Sequence, residues 1–196
     1  MRQRAVVFSG YSNSGKTTLI CRLIEEFSRR GIVTGAIKHT HHPVTATDDG
    51  DTGRFLRAGA SQVILAGEGE AVLFRARDSA TENRETVRTG KEASAPGIAG
   101  LAPPAGAQRF STTSFVWTRP SELPEMLDSP LILIEGFKNA GTWPRIIVAD
   151  PEGRFPPPDP TVIALAGGRI PFPGLPRFER DDVKGLAGFL DRILGS

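Results

Sequence analysis

The run Gly10-Tyr11-Ser12-Asn13-Ser14-Gly15-Lys16-Thr17 satisfies the phosphate-loop pattern GxxxxGK[ST] at every position. Each residue type in it answers a need of phosphate binding. Glycines at 10 and 15 give the backbone φ freedom and close approach, so that successive N–H groups from Tyr11 to Ser14 point inward at phosphate oxygens. The helix opening after the loop adds the unpaired N–H groups of its first turn, through Thr18, and a partial positive charge. Lys16 is placed to reach β- and γ-phosphates, and the Thr17 hydroxyl to complete a Mg²⁺ shell made mostly of oxygen and water ligands.

Three further groups carry chemistry. Glu135 follows the continuous apolar run Leu131-Ile132-Leu133-Ile134, as an acid does at the end of a buried strand where it holds Mg²⁺ through water or polarises an attacking water. All three histidines lie in Lys38-His39-Thr40-His41-His42. Their tight spacing matches no familiar metal geometry, so contact with phosphate or a partner is the better reading and direct ligation the lesser one. Asp48, Asp49 and Asp51 lie in a polar, turn-rich segment from Thr45 to Gly53. The one cysteine, Cys21, reads as a packing residue, because no catalytic pattern surrounds it.

The elements that must position these groups follow from periodicity. Ala5 to Phe8 is an apolar, β-prone run before the loop, and Thr18 to Arg30 has helical spacing, with Leu19, Ile20, Leu23, Ile24 and Phe27 on one stripe. Glu25 with Arg29 and Glu26 with Arg30 read as solvated i,i+4 pairs, and Gly31 ends the helix. Strands are expected at Ile32 to Ile37, Ser61 to Ala66, Ala71 to Phe74, Ser114 to Trp117, Leu131 to Ile134, Arg145 to Ala149 and Val162 to Ala166. Helices are expected at Arg54 to Ala58, Glu122 to Leu127, and from Asp181 to the C-terminus. Strands alternating with helices predict an α/β fold of the P-loop NTPase type: three layers, a mostly parallel sheet covered by helices, and a ligand site beyond the C-terminal strand ends. Only five lysines occur, and Lys16, Lys38 and Lys138 each fall near such an end. Arg75 to Phe110 is poor in large apolar residues and Pro/Gly/Ala-rich at its centre, which reads as a flexible insertion.

With 196 residues the chain suits one domain, residues 1–196 with the insertion at 75–110. A net charge of +2 supplies no strong basic field for nucleic acid. No run reaches the ~18 apolar residues of a membrane span, and the single cysteine suits a reducing compartment, so a cytoplasmic protein is expected.

The phosphate loop with GAIKHTHH, GDTGRFLRAGA, PLILIEGFK and PRIIV in this order resembles the molybdopterin-guanine dinucleotide biosynthesis protein B (MobB) family, over residues 1–70 and 120–194. The resemblance implies a cytoplasmic homodimer that binds GTP with Mg²⁺, hydrolyses it weakly, and assists the molybdopterin guanylyltransferase that joins GMP to molybdopterin. It implies phosphate and metal contacts from Gly10, Gly15, Lys16 and Thr17. It also implies acids at Asp51 and Glu135 for catalysis and metal, and a basic patch of Lys38, His39 and His42 facing the γ-phosphate or the molybdopterin phosphate. Two features depart from the pattern besides the insertion. A Gly-Lys-Asp step is replaced by Asp49-Gly50-Asp51, and no Asn-Lys-x-Asp guanine motif occurs, Ala166 being followed by Gly167-Gly168-Arg169. Guanine preference therefore comes from the resemblance alone. Two other functions fit the same residues: a small-molecule kinase with the histidine and aspartate loops as acceptor site, and an adaptor in which nucleotide stabilises a dimer or complex without significant hydrolysis.

Overall fold

The computed structural model describes residues 4–44, 50–76, 110–137, 143–168 and 172–195. The apolar run before the phosphate loop forms β1 (Arg4–Ser9), and the loop feeds α1 (Lys16–Arg29). There follow β2 (Thr34–His39), α2 (Asp51–Arg57), β3 (Gln62–Ala66), β4 (Glu70–Ala76) and β5 (Phe110–Val116). The chain continues through α3 (Glu122–Glu125), β6 (Leu131–Glu135), β7 (Arg145–Val148), β8 (Val162–Ala166), β9 (Arg177–Phe178) and α4 (Val183–Gly195). The nine strands join one sheet in the order β5-β4-β3-β2-β6-β1-β7-β8-β9. It is mostly parallel, with β4 and β5 added antiparallel at one edge.

The central strands are apolar throughout because both faces of the sheet are covered. On one face α1, α2 and α4 pack over Val6, Phe8, Leu133, Val148 and Ala164, with the α1 stripe of Leu19, Ile20, Leu23, Ile24 and Phe27 buried against them. Each of these large side chains contributes roughly 1.5–3 kcal/mol of transfer free energy. The opposite face, with Val7, Ile37, Ile132 and Ile134, is covered by Leu123 and Leu127 at α3 and by Phe115, Trp117, Phe137 and Trp143. Among the described residues no helix is long and apolar enough to cross a membrane.

Several boundaries differ from the sequence expectations for local reasons. The Ile32 N–H bonds back to the Phe27 carbonyl at 2.9 Å, which spends residues 32 and 33 on closing α1. β2 therefore starts at Thr34 and carries Lys38 and His39 within the strand. α2 starts at Asp51 rather than Arg54, behind Gly50 with φ 79°, and so has an acid in its first turn where the helix dipole favours one. Glu26 is not on a solvated face: it is buried beneath Arg29 and Arg30, the latter at 2.8 Å, and Arg30 ties α1 to Asp191 of α4 at 2.8 Å. At the two bounds of the expected insertion, Arg75 and Phe110 belong to the β4–β5 pair; residues 77–109 lie outside the described residues.

Candidate functional site

The phosphate loop leaves β1 through Gly10, whose φ of 150° and contact with the end of β7 leave no room for a side chain: a Cβ there would lie 2.2 Å from the Val148 carbonyl oxygen. Asn13 at φ 60° and Gly15 at φ 87° complete the turn. α1 then begins with neither a side-chain cap nor an acid in its first turn. Such a helix start leaves its N–H groups and its positive end for an anion. The Lys16 ammonium donates to the Tyr11 carbonyl at 2.6 Å, the Gly10 carbonyl at 3.3 Å and Ser14 Oγ at 3.2 Å, which holds it at the loop.

Beside the loop lies a chain of ionic contacts built by strand register. β6 runs between β1 and β2, and Glu135 stands opposite both Phe8 and Lys38. Thr17 Oγ1 donates to Glu135 Oε2 at 2.8 Å, and Lys38 Nζ donates to Glu135 Oε1 at 2.6 Å. The same ammonium meets Asp51 Oδ2 at 2.6 Å. Arg54 closes the chain, with Nη1 3.5 Å from Asp51 Oδ1 and Nη2 donating to Thr18 Oγ1 at 3.0 Å. Thus the start of α1, the ends of β2 and β6 and the first turn of α2 are tied through six side chains. Burial acts to lower the Lys38 pKa, but the charges and hydrogen bonds of Glu135 and Asp51 outweigh it and the net shift is upward. A lysine held this way is an ammonium, and it balances a Glu135 that is only 5% exposed.

These groups open onto a cavity of about 930 Å³. Its far wall is aromatic. Gly136 at φ 104° and Phe137 at φ 49° turn the chain so that Phe137 lies 4.3 Å from His39 between ring centroids, with Trp117 edge-on to Phe137 at 5.8 Å. His41 stands edge-on to His39 at 4.9 Å. Burial, and then the neighbouring His41, push the His39 pKa below its ordinary value, so the His39 imidazole is neutral at pH 7.

Of the residues singled out from sequence, Gly10, Ser12, Asn13, Gly15, Lys16, Thr17, Thr18, Lys38, His39, Asp51 and Glu135 line this one cavity. Ser14 is buried beneath the loop, and Tyr11 points outward at 44% exposure, offering its carbonyl to Lys16. His42 is exposed and away from the cavity, and His41 lines it instead. β2 ends at His39 and the chain bends at His41, so no strand period distinguished His41 from His42 in the sequence. Arg54, Trp117, Pro120 and Phe137 also line the cavity and were not singled out. Arg54 had a signal in its i,i+3 spacing from Asp51; Trp117 arrives from a distant strand and had none. Lys138, Asp48 and Asp49 lie outside the described residues.

The donor set fits Mg²⁺ and a triphosphate. Thr17, Glu135 and Asp51 are hard oxygen donors close together, and the described residues contain no cluster of three or more acidic, histidine or cysteine ligands that would hold a metal unaided. Mg²⁺ characteristically takes one or two protein oxygens and completes its shell with phosphate and water.

Comparison with known proteins adds family and fold. The family model described as molybdopterin guanine dinucleotide synthesis protein B matches residues 5–94. The molybdopterin-guanine dinucleotide biosynthesis adapter protein of Escherichia coli is 30% identical over 189 residues, covering 94% of this chain and 90% of that protein. The probable adapter protein of Bacillus subtilis is 30% identical over 142 residues, covering 71% of this chain, and the match spans 61% of that relative's length. The crystal structure of Bacillus subtilis MobB superposes with a TM-score of 0.52 at 24% identity, covering 97% of this chain and 98% of that one, a likeness of fold.

Proposed function

This chain belongs to the molybdopterin guanine dinucleotide synthesis protein B family, and on that premise we propose that it acts in molybdenum cofactor biosynthesis as a GTP-binding adapter. It binds GTP with Mg²⁺ at the phosphate loop, hydrolyses it slowly, and assists the guanylyltransferase that attaches GMP to molybdopterin. The observation that carries the nucleotide reading is the contact of Thr17 with Glu135 directly beside a phosphate loop whose helix has an uncapped start. The names of the relatives, as adapter proteins of this pathway, support the partner and the product. Homodimerisation is part of the same reading.

The chain's own groups divide the work. Loop N–H groups and Lys16 bind the phosphates, and Thr17 with Glu135, and Asp51 beside them, hold the metal. Bound there, Mg²⁺ neutralises phosphate charge and orients its oxygens. Glu135, held between Thr17 and Lys38 at the end of β6, is the acid to which this reading gives the orienting of the attacking water. Unstimulated hydrolysis at such sites runs at about 10⁻⁴ to 10⁻² s⁻¹, which suits an adapter whose nucleotide state is read by a partner.

The test is reconstitution of molybdopterin guanine dinucleotide formation from molybdopterin, GTP and guanylyltransferase, with and without this chain. The expected result is a stimulated yield that Lys16→Ala abolishes. Equal stimulation by Lys16→Ala would remove nucleotide binding from the function, and γ-phosphate transfer to a small-molecule hydroxyl would replace the adapter with a kinase.

A further inference from the structure

A second cavity, of about 470 Å³, opens on the other side of the phosphate loop, at the ends of β7, β8 and β9. Its volume falls within the roughly 300–1,000 Å³ of small-molecule sites. The loops after β7 and β8 form it, with Gly153, Gly167 and Gly168 leaving backbone in place of side chains, and Arg180 and Asp181 complete it. The Arg180 side chain lies over Gly167, where a Cβ would meet its Nε at 2.9 Å, and bonds the Ala149 carbonyl. Its Nη1 reaches Gly15, lying 3.3 Å from where a Cβ would stand there. Arg180 therefore forms the partition between this cavity and the phosphate site, and the two share a border at the start of α1.

The direction of a bound nucleotide follows from the distribution of charge. Glu135, Lys38, Asp51 and Arg54 all lie on the β6–β2 side of the loop, so the metal and the terminal phosphate belong there. The nucleoside must leave the loop on the opposite side, toward β7 and β8, where the second cavity stands. Resting on the nucleotide reading above, we propose that this cavity is the nucleobase subsite, that it takes guanine, and that Asp181 reads the base. Guanine offers two donors on one edge, N1–H and the 2-amino group, which a single carboxylate accepts together. Adenine presents a ring-nitrogen acceptor at that place, and a carboxylate repels it.

The other carboxylates around the cavity are engaged. Asp150 accepts from the Arg154 backbone and Nε, each at 2.7 Å, Glu152 accepts from Arg154 at 3.2 Å, and Glu179 from Arg177 at 3.3 Å. Asp181 differs. Its backbone carbonyl accepts from Arg22 at 3.4 Å and from the Val183 N–H at 2.8 Å, which fixes its position, while its carboxylate accepts no hydrogen bond among the described residues. The Arg180 guanidinium supplies a planar cation on which a purine can stack. Base recognition is thus assigned to a segment after β9, in place of the missing Asn-Lys-x-Asp run.

The experiment is calorimetric titration of the full chain, in Mg²⁺, with GTP, ATP and xanthosine triphosphate, using wild type and Asp181→Asn. Xanthine replaces the 2-amino group by a carbonyl, which an asparagine amide can donate to while its own oxygen accepts N1–H. The expected result is wild-type preference for GTP, a loss of about ten- to hundredfold in GTP affinity in Asp181→Asn, and a gain for xanthosine triphosphate in the same variant. Retained GTP affinity in Asp181→Asn, or equal wild-type affinity for GTP and ATP, overturns the base assignment and leaves the phosphate site standing. Binding of no triphosphate by wild type overturns the nucleotide reading itself, and the subsite with it.

Discussion

The two flanks of the phosphate loop are built differently. On the β6–β2 flank, Thr17, Glu135, Lys38, Asp51 and Arg54 contact one another in an unbroken chain, with distances from 2.6 to 3.5 Å. On the β7–β8 flank the glycines and Arg180 shape a cavity, and the Asp181 carboxylate stands apart from its paired neighbours. The first flank is set for charge, holding acids and cations in fixed positions before any ligand arrives. The second is set for shape and a hydrogen-bonding edge. Chemistry at a phosphate benefits from groups that need no reorganisation, whereas discrimination between bases needs one acceptor that is not already paired.

Substitutions separate the flanks, beginning with the loop they share. Gly10→Ala forces a side chain against the Val148 carbonyl at a φ of 150°, with an expected loss of about 3 kcal/mol in stability and loss of GTP binding, read by thermal unfolding and calorimetry. Unchanged unfolding would mean the loop can leave β7. Next in size is Glu135→Gln: single-turnover hydrolysis falls about a hundredfold while the GTP Kd stays within about threefold. Equal loss of binding and turnover would make Glu135 a binding group alone. Lys38→Met strips the ammonium from a buried Glu135 and an adjoining Asp51, with an expected cost of about 2 kcal/mol, partly restored by Mg²⁺ in a thermal-shift series. Absence of a Mg²⁺ effect would remove these carboxylates from the metal site.

The smallest effect is on pH dependence. Burial and His41 hold the His39 pKa below the ordinary histidine value of 6.5, so the folded chain binds this proton less readily than the unfolded one. That contribution is whole above pH 6.5 and is lost as the pH falls through the unfolded value toward the folded one. The wild-type minus His39→Gln difference in unfolding free energy should therefore decline on acidification below 6.5. A difference independent of pH would mean that His39 titrates normally.

The same contrast explains what could be read from sequence. The phosphate loop and Glu135 were legible because each is local: a spacing in one case, an acid closing an apolar run in the other. Lys38 was legible as a residue near a strand end, but its pairing with Glu135 depends on β2 and β6 being neighbours, which no local pattern states. The antiparallel addition of β4 and β5 was likewise hidden, because period-two alternation carries no direction. β9 is two residues long and too short for any period. The base-side cavity is assembled from three segments after β7, β8 and β9, each unremarkable alone, and so its residues had no sequence signature beyond the glycine pair after Ala166.

The most direct test of the central claim is GTP titration of wild type and Lys16→Ala, each with Mg²⁺ and with EDTA. The account predicts binding by wild type that weakens in EDTA and falls at least about a hundredfold in Lys16→Ala. Binding indifferent to both changes would place the nucleotide away from this loop and contradict it.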